Sequence, residues 1–420
     1  MNEHYLHLLW RLKRLPLHRL LTVSGQSVSI RNTGFYNRES GPDFFNGQIS
    51  IGGIVHAGNI EMHVKSSDWY LHGHQHDRAY DNVVLHVVHE YDKPVYIDGL
   101  EIPTIELKHL IDREHFEQSE RLTASPESIP CSTLIGSVPT AQVHEQLQSA
   151  LTERLKRKSD DRAAQLSSVS PQELLFSLFA AAFGMKINAL PFVELANRLP
   201  LNALLRTRAE DIEAIVFGVS GLLERRESSD YARDLIRTWN FHRTRLSLHS
   251  QNPAGWKQKG CRPGGFPVIR LAQFASFVQR MDWSQDFWEQ SPGQLLHQLR
   301  QLLCFPLSDY WRQHYDFGKK HKRPVSGMSK ASADVIIVNA VVPFLVSLAS
   351  QTSQLCYQQK ALELLALMPG EKNTIVDRWK MLGLNARNAG DAQGLLELKN
   401  EFCNRKRCLD CKIGTYLLGR

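Results

Sequence analysis

Apolar positions recur at helical spacing at the start of the chain. Tyr5, Leu8, Leu9, Leu12 and Leu15 share one face and predict a helix over residues 3–20. Residues 23–30 then alternate as a strand does. Residues 44–51 lead into Gly52-Gly53, a two-residue hairpin signal, and the chain returns over 54–65. Residues 77–80 fit a short helical turn. Residues 82–90 are near-continuously apolar, the pattern of a strand buried on both faces. Residues 95–97 and 100–107 read as a further hairpin about Asp98-Gly99, a pair that tolerates positive φ, and Pro103 confines the second arm to an edge. The stretch 118–140 is rich in Ser, Pro and Thr and reads as a linker. Beyond it the period is helical almost to the end. Leu147, Leu151 and Leu155 share a face, as do Leu174, Leu175, Leu178 and Phe179. Helices are expected at 209–223, 229–247, 267–281, 293–304, 330–349, 353–367, 371–382 and 391–403.

The pattern predicts an α+β protein. An N-terminal module with a mixed or antiparallel sheet covers 1–117, a linker 118–140, and a large all-α domain 141–420 that ends in a cysteine cluster. The length of 420 residues suits more than one core, and 42% hydrophobic with 22% charged residues is a globular balance. The formal net charge of +7 admits a polyanionic partner without requiring one. Residues 1–20 alternate apolar residues with His, Lys and Arg, unlike a secretory leader. The longest apolar run, 335–349, contains Asn339 and Pro343, falls short of the ~20 residues that cross a bilayer, and reads as a buried helix. A cytoplasmic protein without membrane association is expected. Seven cysteines, an odd number, argue against a disulfide framework.

Candidate chemistry begins at Gly41-Pro42-Asp43-Phe44 and continues in Gly58-Asn59-Ile60-Glu61-Met62-His63-Val64-Lys65. Alternation puts Ile60, Met62 and Val64 on one strand face and Glu61, His63 and Lys65 on the other. A turn centred on Gly52-Gly53 sets Asp43 opposite Met62, on the wrong face. One extra residue in the returning strand, at Gly58, sets it opposite His63 instead. Asp43 and Glu61 can then jointly hold Mg²⁺ or Mn²⁺, hard cations that prefer carboxylate oxygen. The ion would activate a water, with His63 or Lys65 assisting. A solvated surface hairpin would carry the same residues. His72, His74, His76 and Asp77 follow, then His86 and His89. They either bind zinc or another transition metal, flank the acidic pair as hydrogen-bond donors, or cap backbone groups.

Cys403, Cys408 and Cys411 cluster near the end, the last two at the spacing of a thiolate knuckle, amid Arg405, Lys406, Arg407 and Lys412. Cys131 is the nearest choice for a fourth ligand, to zinc or to an iron–sulfur cluster. Lys319, Lys320, Lys322 and Arg323 form the densest basic run, and Arg262 and Arg270 flank a Gly/Pro loop entering a helix. Each can contact nucleic-acid phosphates, or be a solvated loop or packing device.

The order helix, strand, strand with Asp43, strand with Glu61 and His63 resembles the PD-(D/E)xK nuclease superfamily, with Pro42-Asp43 as the first half of its motif. The second half departs from it. His63 stands where lysine is expected and Lys65 comes two residues late, so either can take the lysine's role. Some nucleases of that superfamily hold an iron–sulfur cluster on one distant and three C-terminal cysteines, and the layout here resembles theirs at different spacing. Nearly the whole chain resembles the bacterial family designated domain of unknown function 2851. The resemblance rests on Gly41-Pro42-Asp43-Phe44, Glu61 to Trp69, His72-Gly73-His74, Glu153-Arg154-Leu155, Phe183-Gly184, Glu213-Ala214 and Phe217-Gly218. It continues through Arg262-Pro263 to Gln273, Asn339 to Pro343, and the terminal cysteines. The expected function is a metal-dependent nuclease or phosphodiesterase acting on DNA or RNA. The alternatives are a non-catalytic nucleic-acid-binding or scaffold protein, and a small-molecule hydrolase with zinc at His72, His74 and His76.

Overall fold

The N-terminal helix forms as α1 (Glu3–Arg11), capped by the Asn2 side chain, which accepts from the Tyr5 amide. It is shorter than the apolar spacing suggests, because Lys13 takes a left-handed φ of 50° and Pro16 cannot continue a helix. This computed structural model describes residues 1–37, 39–163, 168–223, 229–325 and 327–419. They divide into two units, 1–146 with 398–420, and 147–397.

The first unit is built on β1 (Val28–Asn32), β2 (Phe35–Tyr36), β3 (Phe44–Ile51), β4 (Ile54–Lys65), β5 (Val83–Glu90), β6 (Tyr96–Ile97), β7 (Leu100–Glu101) and β8 (Thr104–Glu106). The main sheet runs β1-β3-β4-β5-β8, with β2 also on β3. It is mixed: β1, β3 and β4 are antiparallel neighbours, whereas β4, β5 and β8 are parallel. A parallel pair needs a crossover. Here it is α2 (Asp68–Leu71) and the 3-10 turns His74–His76 and Arg78–Tyr80. β6 and β7 make their own hairpin about Asp98 and Gly99, both at positive φ, and β8 ends the sheet, as Pro103 demands.

The stretch that reads as a linker holds structure. α3 (Arg113–Thr123) starts at the Asp112 cap and runs into it, and Ile129, Cys131, Ile135 and Val138 beyond are buried. The terminal segment belongs with the first unit, not with the helices before it. It comprises the π-helical turn Leu398–Cys403, the 3-10 turn Cys408–Asp410 and the helix Lys412–Leu418, which packs on α3.

The second unit is helical. Ile212–Val219, Asp230–Arg245, Pro267–Arg280, Pro292–Leu303 and Leu355–Leu367 lie where periodicity puts them. Among the described residues one helix, Lys330–Thr352, is long and apolar enough to cross a membrane by length and composition. It packs against Pro171–Phe183 and Leu355–Leu367, burying Ile336, Ile337, Val341, Phe344 and Leu345. The protein is thus α+β, a mixed-sheet unit followed in sequence by many helices.

Candidate functional site

β3 and β4 pair regularly from Ile51↔Ile54 to Gly47↔Gly58 and resume at Phe44↔Ile60. The extra residue therefore lies in β3, at Phe45–Asn46, where Asn46 takes a φ of 55°. This corrects the expected bulge at Gly58. Gly58 serves a different need: a Cβ there would stand 2.4 Å from Val84 Cγ1 and 2.7 Å from the Asn82 carbonyl. The bulge in β3 turns Asp43 to face Glu61, two residues before the His63 expected. Two hydrogen bonds lock the pair. The Asp43 amide donates to Glu61 Oε2 at 3.0 Å, and the Met62 amide donates to Asp43 Oδ2 at 3.0 Å.

Histidines from four elements close on these carboxylates. From α1, His7 Nε2 lies 3.1 Å from Asp43 Oδ2, and its Nδ1 is 3.3 Å from the Tyr36 hydroxyl. His63, 1% exposed, is the hub. Its Nδ1 is 2.8 Å from His86 Nε2 on β5, and its Nε2 is 3.1 Å from His72 Nδ1 and 3.6 Å from Glu61 Oε1. His74 Nε2 lies 3.3 Å from Glu61 Oε1, and its ring stacks on Tyr80 at 3.9 Å. Trp69, fully buried, sets its ring edge-on to those of His63, His74 and His86. The crossover that carries His72 and His74 is fixed at its start, where Asp92 Oδ1 accepts from the Ser66 hydroxyl and the Ser67 amide, each at 2.9 Å.

Burial, and after it the Asp43 charge, holds the Glu61 carboxyl far above the ordinary carboxylate range. Burial, then the neighbouring imidazoles, pulls His63 down to about 2, and burial pulls His86 down to about 3 and lowers His74. At neutral pH these rings are uncharged and keep a lone pair for a ligand. Two of the close approaches, His7 to Asp43 and His74 to Glu61, lack hydrogen-bond geometry, and both Nε2 atoms are buried. A buried ring nitrogen this close to a carboxylate oxygen without a hydrogen bond is an arrangement that a shared cation would satisfy. His63, His72 and His74 each offer a ligand atom within 4.8 Å of the others.

The remaining expected residues lie elsewhere. Lys65 is exposed at the end of β4, where its amide donates to Asp68 Oδ2 at 2.8 Å. The ligand atoms that group together are those of His63, His72 and His74, so the cluster is not His72, His74 and His76. Asp77 caps the turn Arg78–Tyr80 through the Ala79 amide. His7 and Tyr36 escaped the sequence reading. His7 lies among the buried apolar residues of α1, where a histidine reads as core, and Tyr36 sits on a two-residue strand. Cys131, Cys403, Cys408 and Cys411 line one hollow in the first unit.

Most of the basic residues named from the sequence are exposed. Lys319 and Lys320 form an exposed strand, with Lys319 paired to Asp316 at 3.0 Å, and Lys322, Arg323 and Arg262 are exposed. Arg270 is drawn inward, where burial lowers its guanidinium pKa, and donates to Gln273. The second unit instead gathers Arg206, Arg208, Arg237 and Arg245 with Phe241 around a cavity of about 480 Å³.

The family described as Protein of unknown function (DUF2851) matches residues 3–374, and the chain belongs to it. No curated protein and no solved structure matches the chain.

Proposed function

We propose that this chain is a metal-dependent phosphodiesterase acting on nucleic acid. Its ion is held by His63, His72, His74 and Glu61, with Asp43 beside it. The observation that carries the reading is the meeting of His63, His72 and His74 with the Glu61 carboxylate beside Asp43, at approaches that hydrogen bonds do not all satisfy. A mixed imidazole and carboxylate set suits Mn²⁺, Fe²⁺ or Zn²⁺ better than Mg²⁺, which prefers oxygen and water. The ion would lower the pKa of a bound water and stabilise charge on the phosphoryl oxygen. Its charge would also return Glu61 to the anion that burial disfavours. The Met62 amide holds Asp43 in place.

Two further features support the substrate class. The order α1, β1, β3 headed by Asp43, β4 with Glu61, and parallel β5 is similar to the PD-(D/E)xK nucleases, with neutral His63 where those carry lysine. The arginine-lined cavity of the second unit suits phosphates, and Phe241 at its rim, 64% exposed, offers a stacking face for a base.

The test is cleavage of single- and double-stranded DNA and RNA by the purified chain with Mn²⁺, Zn²⁺ or Mg²⁺. Cleavage that needs Mn²⁺ or Zn²⁺ is expected. It should fall roughly 100-fold or more in Asp43→Asn and Glu61→Gln, and change little in Lys65→Ala. No cleavage by wild type with any of the metals, or undiminished cleavage in both carboxylate variants, would sink the reading. Salt-sensitive binding without cleavage, retained in Asp43→Asn, would assign a binding role instead.

A further inference from the structure

The hollow lined by four cysteines stands apart from the proposed ion site and owes nothing to it. Its ligands come from a turn at Cys131, the end of the π-helical turn at Cys403, and the two ends of the short passage from Cys408 to Cys411. Each is buried, at 7–8% exposure. All four are free thiols, although an exposed Cys356 shows that the chain can also leave a cysteine at the surface.

The four converge on that hollow, which Leu122, Pro130 and Phe402 line with them. Burial raises all four thiols, a cost to negative sulfur that nearby donors offset in part. Lys399 acts on Cys403 and Lys406 on Cys408, and the Ile413 and Gly414 amides donate to Cys411. Gly414 permits this closeness, since a Cβ there would stand 2.1 Å from the Cys408 carbonyl oxygen. The segment itself is tied down, for the Lys412 amide donates to Gln146 Oε1 at 2.7 Å.

We propose that Cys131, Cys403, Cys408 and Cys411 form a four-thiolate metal centre that fastens the terminal segment to the first unit. On binding, each S–H bond is exchanged for a sulfur–metal bond and the proton passes to solvent. The nearby lysines offset the negative charge of the thiolate set. A single zinc ion would draw the sulfurs to within roughly 3.8 Å of one another, from Zn–S bonds of about 2.3 Å in a tetrahedron. Among the described residues the ligand atoms grouped within 4.8 Å are those of His63, His72 and His74, and the four sulfurs form no such group. An iron–sulfur cluster, whose thiolates sit on separate irons, accepts the wider set and is the expected occupant.

The experiment is metal, sulfide and free-thiol analysis of the full chain purified without oxygen. Iron and acid-labile sulfide, with visible absorption bleached by dithionite, are expected. All should be lost in Cys408→Ser and Cys131→Ser, and retained in Cys261→Ser and Cys356→Ser. One zinc per chain, lost in the same two variants, would support the thiolate centre and identify a tetrahedral ion as its occupant. Wild-type protein with neither metal and with every cysteine titratable would overturn the proposal. So would metal content unchanged by Cys408→Ser and Cys131→Ser. The wild-type result stands whether or not the variants fold.

Discussion

Glu213 keeps a carboxyl inside the helical unit, accepting from the Tyr231 hydroxyl at 2.6 Å and from the Trp311 indole at 2.5 Å. Burial raises its pKa above the ordinary 4.5, against the pull of those two donors. A folded-state value above the unfolded one means that the folded chain keeps a proton the unfolded chain has released. The group's contribution to stability is therefore fully present below about 4.5 and is lost as pH rises through the raised value. Glu213→Gln keeps the shape without the titration. Wild type should lose stability relative to Glu213→Gln as pH climbs from 4.5 toward neutral, by at most about 1.4 kcal/mol per pH unit. Denaturant unfolding of both proteins across that range checks it, and parallel curves would mean that Glu213 is ionised throughout. Side-chain depth is what the sequence shows least well at this scale. Alternation put Glu61, His63 and Lys65 on one face and gave them equal standing. Neighbours on both sides of β4 bury the first two, while Lys65 at the strand end stays in water.

At the scale of elements, the pairing of β3 with β4 was legible up to the bulge. The Gly52-Gly53 turn fixes the register as far as Gly47↔Gly58, and an extra residue had to exist for Asp43 to share a face with Glu61. Its place was not legible. Gly58 looks like a bulge glycine to hairpin arithmetic, yet what demands glycine is the next strand, β5, whose approach begins at Asn59↔Val83. A parallel neighbour joined by a crossover leaves no local mark on β4. The left-handed residue of the bulge is Asn46, a residue type that tolerates positive φ, and its amide donates to Asn59 Oδ1 at 3.3 Å. A β-branched side chain has no such tolerance. Asn46→Val should cost roughly 1–2 kcal/mol, while Asn46→Gly should be nearly neutral. Unfolding midpoints rank the three proteins. Equal midpoints for Asn46→Val and wild type would mean that the bulge moves to another residue.

For the molecule as a whole, helical periodicity placed most of the second unit, because each amphipathic helix writes its own period. It could not show that the chain comes back to the first unit. Phe402, Leu409, Ile413 and Leu418 are buried there, and Lys412 binds Gln146 across 266 positions of sequence. A pattern read in a local window has no access to such a partner, which is why the last residues read as the end of the helical domain. The return has a consequence for truncation. Burying each of those four side chains contributes about 1.5–3 kcal/mol, together on the order of 6–12 kcal/mol. The net stability of a domain is only about 5–15 kcal/mol. A chain ending at Glu397 should therefore lose the fold of residues 1–146. The second unit should survive, since its main core, from Leu151 to Ala389, is drawn from its own residues. Limited proteolysis followed by mass analysis reads this directly. Digestion of the N-terminal part, with a resistant fragment covering roughly 147–397, is the expected result. An N-terminal part as resistant as that of the full chain would mean that the terminal segment only rests on the first unit and contributes little to its core.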